Sequence, residues 1–259
     1  MRSTDFSKAP PQGRAQAMLV VDSETADAGW TRALLRTARR DPARLWDHGY
    51  RVAGHRGMLI GFTNRDSMLA FAATVADART RGYRAESSGY SNGVWRAEGP
   101  TMTHIPTFTP VTRERERGVT PPEVAGGRAL GPGRQGRRPR GPVNPPRTPI
   151  EGGSLFLGAT RYRGPRSLLM LARTWYPMLA KMRRMKGYVW HAVYGSGPWA
   201  LGTIAFFDDR DALLAFARMP EHRYLMQWIV EGTSWATAGF IRLLVAEDSA
   251  DADTAWEHP

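Results

Sequence analysis

FTNRDSMLAFA, Phe62 to Ala72, is written again as FFDDRDALLAFA, Phe206 to Ala217. A shift of 145 residues carries Phe62, Arg65, Asp66, Leu69, Ala70, Phe71 and Ala72 onto Phe207, Arg210, Asp211, Leu214, Ala215, Phe216 and Ala217. The same shift carries Trp30 onto Trp175, Leu34 onto Leu179, Arg36 onto Lys181 and Arg39 onto Arg184. Two separated matches at one offset mark an internal duplication. Between them the register needs gaps, which align Gly49 and Tyr50 with Gly187 and Tyr188. The chain therefore folds as two related units, each able to cover apolar surface that the other leaves open.

The halves are separated by RERERGVTPPEVAGGRALGPGRQGRRPRGPVNPPRTPIEGG, rich in Arg, Pro and Gly and poor in large apolar residues. Such a composition cannot offset its ordering entropy by burial and reads as a flexible linker. Nine arginines and three glutamates between residues 113 and 147 supply half of the +12 net charge. The basic balance thus reflects a solvated linker, and nucleic-acid binding is the outside reading. The expected division is a disordered stretch at 1–16, repeats at 17–111 and 154–247, the linker at 112–153 and an acidic tail at 248–259. Cysteine is absent, which excludes disulfides, thiolate metal sites and a Cys nucleophile. No export signal and no membrane span is legible, so a cytoplasmic protein is expected.

In the second half, SLFLGATRY, GYVWHAVYG, WALGTIAFF and ATAGFIRLLV read as strands. Leu168, Leu171, Trp175, Met178, Met182 and Met185 recur at helical spacing, with Pro177 expected to kink that helix or restart it. RDALLAFARM is a second helix capped by Asp208 or Asp209, followed by EHRYLMQWIV. The order β-α-β-β-α-β is the ferredoxin-like split βαβ unit, an antiparallel sheet with helices on one face. AMLVVDS, TRALLRTARR, GYRVAG, GMLIGF, SMLAFAATVADA and TMTHIPTF give the first half the same order, leaving residues 81–100 as an extra loop or hairpin. The fold class is therefore α+β, with tandem ferredoxin-like repeats packed sheet to sheet as an intrachain α+β barrel.

Trp175, Pro177 and Met178, then Gly187 and Tyr188, RDALLAFARMPEHRYLMQW, and a final Gly239 and Phe240 carry a resemblance. This pattern resembles the fumagillin-pathway monooxygenase-like branch of the dimeric α+β barrel superfamily. SLFLGATRYRG and the stretch from Glu231 to Trp235 are similar to spheroidene-monooxygenase-like proteins. The resemblance covers the C-terminal 95 or so residues. It implies a monooxygenase-type or haem-binding oxidoreductase, the superfamily also holding cofactor-independent oxygenases, cyclases and isomerases.

The histidines do not pair at HxH or HxxxH spacing, so a zinc-type site is not expected. His222 shares a helical face with Leu225, Met226 and Ile229, in a first turn where the helix dipole favours a neutral, ligating ring; the competing reading is a histidine that packs or caps. His191 alternates with Val189 and Val193, and Tyr188, Trp190 and Tyr194 take the other strand face, so its role depends on which face meets a cavity. His104 is its weaker counterpart, and His48, His55 and His258 are expected to be solvated. Arg242 is an unusual charge on a buried strand and a candidate for an anionic group of a ligand. The candidate catalytic set is His191, Arg242 and Trp190. The candidate cofactor set is His222, Trp228 and Trp235, with His222 as the axial ligand of haem b should haem bind. Trp199 is a further candidate pocket aromatic. The expected function is a monooxygenase-type oxidoreductase acting on a small hydrophobic metabolite in specialised metabolism, with a homo-oligomer open. The alternatives are a non-catalytic haem- or ligand-binding protein and a cofactor-free cyclase or isomerase. The site is sought in the space between the two sheets, with a pocket mainly in the C-terminal half.

Overall fold

The computed structural model describes residues 5–75, 77–87, 89–97, 142–227 and 235–248, the side chains at 223, 224, 226 and 227 excepted. The first half supplies β1 (Ala17–Ser23), α2 (Ala28–Arg40), β2 (Arg44–Val52), β3 (His55–Phe62), α3 (Arg65–Ala73), β4 (Arg79–Ala85) and β5 (Tyr90–Gly93), after a short helix α1 (Pro11–Arg14). The second supplies β6 (Ser154–Tyr162), α4 (Pro165–Met182), β7 (Tyr188–Gly195), β8 (Ala200–Phe207), α5 (Arg210–Ala217), α6 (Pro220–Gln227) and β9 (Ala236–Ala246).

Every described strand pair is antiparallel, and the sheet runs β2-β3-β1-β4-β9-β6-β8-β7, with β5 also on β9. Each half contributes the strand order of a ferredoxin-like unit. The two units join at β4 and β9, where Tyr83, Arg84 and Ala85 pair with Ala246, Val245 and Leu244. The curled sheet brings its outer strands together through side chains, Trp190 of β7 lying 5.7 Å from Tyr50 and 6.4 Å from His48 of β2. This is the architecture of an intrachain α+β barrel.

The duplicated phrase has one structural job in each half. Phe62 and Phe207 end strands; Asn64 and Asp209 then cap the next helix, accepting from Ser67 N (2.8 Å) and Ala212 N (2.7 Å). Such caps satisfy backbone donors that a helix start leaves free. Phe71 and Phe216 point those helices into the two outer cores.

Register corrects the alignment of Gly49-Tyr50 with Gly187-Tyr188. Tyr50 pairs with Gly57, and Tyr194 pairs with Gly202. In both hairpins the tyrosine ring lies over the opposing glycine, where a Cβ would come within 2.4 Å of Tyr50 Oη or 2.1 Å of Tyr194 Cζ. Tyr50 is therefore the counterpart of Tyr194. A cross-strand pair is a stronger constraint than a shared dipeptide, because it fixes both neighbours at once.

Residues 81–100 are not a simple insertion. They include most of β4, which closes the first ferredoxin-like unit, and β5, which extends the seam along β9. RTRGYRA carries one large apolar side chain, so it lacks the alternation that marks a strand in sequence. TMTHIPTF, with His104, lies outside the described residues. So do the rest of residues 98–141, which include the larger part of the linker. Its last residues are ordered: Arg147 N donates to Val189 O (2.9 Å), and Tyr83 Oη donates to Gly152 O (2.6 Å). Residues 5–16 are likewise ordered, Phe6, Ala9 and Ala15 being buried in the interior cluster. Helix α4 runs on through Pro177 as one segment.

Alternation along the strands sorts the apolar residues into an inner and an outer set. Met18 and Val20 of β1, Leu155 and Leu157 of β6, Phe240 and Leu244 of β9 and Trp190 and Tyr194 of β7 meet between the two halves as one continuous core. The space between the two sheets, where the sequence places the site, is thus packed. Outward-facing residues meet the helices instead, Leu19, Ile60 and Phe62 under α2 and α3, and Phe156, Ala205 and Phe207 under α4 and α5.

Candidate functional site

On the outer face of the second half, the sheet and its helices form a half-open cavity of about 700 Å³. This size suits a small organic ligand. Its floor is Gly158 and Thr160 of β6, Thr203 of β8 and His191 and Val193 of β7. Its roof is the apolar stripe of α4, including Leu168, Leu171, Trp175 and Met178. Phe216 of α5 and His222 and Leu225 of α6 close one side. No Asp, Glu, Lys or Arg is among the described lining residues.

His222 is buried in the first turn of α6, its ring 4.7 Å from that of Phe216 and 5.6 Å from that of Phe156. Its Nδ1 lies 3.0 Å from Ala217 O, so Nδ1 carries the proton and donates. Nε2 then holds a lone pair, and it has no hydrogen-bond partner and is shielded from water. Burial pulls the ring down from its ordinary 6.5 to about 4, and the bond to Ala217 offsets only part of this. At neutral pH the imidazole is uncharged.

His191 owes its position to a β-bulge. In a regular strand residues 188 and 191 point to opposite faces. The pairing of β7 with β8 slips between Tyr188 and Trp190, which turns Tyr188 onto the helix side beside His191 and leaves Val189 and Trp190 in the inner core. Tyr188 Oη stands 2.6 Å from His191 Nδ1. Burial, then the nearby Arg183 cation, lowers His191 to about 4, while burial raises the Tyr188 hydroxyl to about 12.

The cavity thus gathers His191 and His222 and leaves the other candidates elsewhere. Trp190 lies in the inner core, 6.0 Å from Phe206. Arg242 shares the inner parity of Phe240 and Leu244 on β9. Its Nη2 donates to Ala15 O (3.0 Å) and Gln16 Oε1 (2.8 Å), and its guanidinium lies 4.1 Å over the Phe6 ring. It fastens the N-terminal segment to the sheet and does not line the cavity. Burial lowers it to about 10, still a cation at neutral pH. Trp235 packs with Tyr162, Leu171 and Ala236 behind the cavity wall. Trp228 lies outside the described residues, as does His258. Trp199 is half exposed at a turn with φ 58°.

His48 and His55 are not solvated loop residues. His48 sits on β2 beside Trp190. His55 donates from Nδ1 to the fully buried Asp22 (2.9 Å), which also accepts from Tyr50 Oη (2.8 Å) and Arg79 Nε (3.2 Å). The cavity residues that sequence reasoning passed over are Thr160, Tyr162, Trp175, Tyr176 and Thr203. Helical spacing marked Trp175 as core, and nothing in that pattern tells a filled core from a lined cavity.

Haem would need an accessible axial ligand and partners for two propionates. His222 Nε2 has the right lone pair, but no described lining residue is cationic, so none would pair with the propionates. The described wall fits an uncharged molecule and does not fit haem. Among the described residues, no helix is long and apolar enough to cross a membrane.

No protein-family model and no curated protein matches the sequence. Among solved structures the chain is similar to a monooxygenase-like protein of Listeria innocua, with 7% identity over 91% of this chain and 96% of that one and a TM-score of 0.34. It is similar to an anthrone oxidase-like protein, with 9% identity over 92% and 93% and a TM-score of 0.31. A protein of Shewanella oneidensis matches 37% of this chain over 95% of its own, with 13% identity and a TM-score of 0.31. The strand order, and not these scores, carries the fold assignment.

Proposed function

We propose that the chain is a monooxygenase-type oxidoreductase that acts, without a bound cofactor, on a small, uncharged and largely apolar metabolite held in the second-half cavity. The observation that carries this reading is the neutral His222 imidazole, its Nε2 unpartnered on a wall free of described charged residues. A buried acceptor without a donor costs about 1–3 kcal/mol. Such a cost is retained where a ligand supplies the missing donor.

A site of this kind gives a proton acceptor among apolar walls, so the substrate has to supply its own electrons. A CH₂ between aromatic rings, or beside a carbonyl, does so. Nε2 takes its proton, and the developing carbanion raises the proton affinity of the imidazole, reversing the effect of burial. The electron pair then forms the C–O bond to dioxygen, and the imidazolium returns its proton to the outer oxygen as a hydroperoxide. Loss of water, with cleavage of the remaining C–H and the O–O bond, leaves a carbonyl. The balance is R₂CH₂ + O₂ → R₂CO + H₂O.

Anthrone, a tricyclic ketone with an acidic benzylic CH₂, is a suitable probe in an oxygen electrode. The expected result is protein-dependent uptake of one O₂ per ketone formed, reduced at least about 100-fold in His222→Leu with the fold retained. Uptake unchanged in that variant overturns the reading. Binding without uptake replaces it with a non-catalytic ligand-binding protein.

A further inference from the structure

The two cavity histidines are held at Nδ1 by different partners. His222 donates from Nδ1 to Ala217 O, which leaves Nε2 as an acceptor. At His191 the partner of Nδ1 is the Tyr188 hydroxyl. Tyr188 Oη lies 2.6 Å from His191 Nδ1, and burial keeps the phenol protonated, so it has a proton to donate there. A neutral imidazole that accepts at Nδ1 carries its proton on Nε2. With Tyr188 as the donor, the cavity is lined by a ring protonated on Nε2 on its sheet side, from β7, and by one bare at Nε2 on its helix side, from α6.

We propose that this cavity selects uncharged ligands carrying an acceptor, such as a carbonyl oxygen, for His191 Nε2–H and a separate donor for His222 Nε2, with Tyr188 as the positioning residue that fixes the His191 tautomer. The inference rests on the reading that this cavity is the ligand site, and it names the substrate class of that site. Its basis is the bulge in β7, since only that slip puts a hydroxyl at position 188 on the same face as the ring at 191. It also accounts for Nε2 of His222 being left unpaired. A molecule with both groups satisfies both rings; one that lacks either leaves a buried polar atom without a partner, worth about tenfold in affinity.

Two measurements on the full chain test this. Nitrogen-15 NMR of the imidazoles in ligand-free protein at pH 7 is expected to show His191 protonated on Nε2 and His222 on Nδ1, with Tyr188→Phe turning His191 into a tautomer mixture and leaving His222 unchanged. Calorimetric titration then compares 2-hydroxyfluorenone, 2-methoxyfluorenone and 2-hydroxyfluorene, which offer both groups, the carbonyl side alone and the hydroxyl alone. The first is expected to bind about tenfold tighter than either of the others. Tyr188→Phe reduces the preference for the carbonyl, and His222→Leu reduces the preference for the hydroxyl. Two rings in the same tautomer, or affinity ratios that neither variant moves, overturn the proposal. Oxygen uptake is read separately: correct tautomers without uptake sink the monooxygenase reading alone, and uptake with matching tautomers sinks this inference alone.

Discussion

His222 makes a sharp prediction about acid stability. Its folded-state value of about 4 lies below the ordinary 6.5, so the folded chain binds fewer protons than the unfolded chain between those two pH values. The sign follows: the stabilising contribution of the neutral ring is complete above pH 6.5, declines as pH falls through the window and levels off below 4. At 1.36 kcal/mol per pH unit the decline amounts to about 3 kcal/mol. Carboxylates lose stability in acid as well, so the wild-type curve alone does not isolate the histidine. The difference between wild type and His222→Leu does, because groups shared by the two chains cancel. Leucine keeps an apolar volume against Phe156 and Phe216 and removes the titrating ring. Urea unfolding at half-unit steps from pH 7.5 to 4 is expected to give similar stabilities at pH 7 and a variant that gains on wild type by about 3 kcal/mol at pH 4. Parallel curves would refute both the burial argument and the neutral-imidazole premise of the site.

Three further outcomes follow from the same structure. Asp22→Ala removes the acceptor shared by Tyr50, His55 and Arg79 and leaves the Tyr50 hydroxyl without its carboxylate partner; urea unfolding should show a loss of about 3 kcal/mol, and a loss under about 1 counts against a structural role for this network. Gly202→Ala places a Cβ 2.1 Å from the Tyr194 ring, and overpacking of that kind costs about 3 kcal/mol in chemical unfolding; pairing it with Tyr194→Leu should recover most of the loss. Hemin titrated into the full chain should give no Soret band that depends on His222, and a band lost in His222→Leu would reinstate the haem reading.

The duplication was legible because capping and core positions tolerate few residue types. Asn64 and Asp209 both supply a side-chain acceptor at a helix start, and Phe71 and Phe216 both fill the same kind of space. The strands with apolar residues on both faces, β1, β6, β8 and β9, were legible for the same reason, being covered by helices outside and by the other half inside. β4 was not, since RTRGYRA is held by pairing on two sides and by one buried tyrosine, and neither signal is periodic. The bulge in β7 was equally invisible. It reversed the expected partners of His191, moving Tyr188 beside it and Val189 away, and no residue between 188 and 190 announces the slip. The charge on Arg242 suggested a ligand anchor because sequence shows only that the strand is apolar; the acceptors at Ala15 and Gln16 lie more than 200 residues away.

Comparison of matched positions explains why a cavity is found on the outer face of the second half. Pairs in β1 and β3 correspond to pairs in β6 and β8: Val21 and Met58 occupy the positions of Gly158 and Thr203, and Leu19 and Ile60 those of Phe156 and Ala205. Three of the four changes remove volume on the face that meets the helices, and the fourth brings in the ring against which His222 packs. In the first half those larger side chains form a filled outer core. The second half has therefore exchanged core packing for space, and returning one side chain should reverse the exchange. Thr203→Met restores the first half's residue at a strand position with no backbone constraint, inside a cavity with room for it. Each methylene removed from water stabilises by about 0.8 kcal/mol, so the melting temperature should rise while affinity for 2-hydroxyfluorenone falls at least about tenfold. The reciprocal change, Met58→Thr, should cost about 3 kcal/mol and leave that affinity unchanged, because the first half's core lies on a different part of the sheet. Undiminished affinity in Thr203→Met, with the fold intact, would mean that ligand binds elsewhere, and the assignment of the site to this cavity would fall with it.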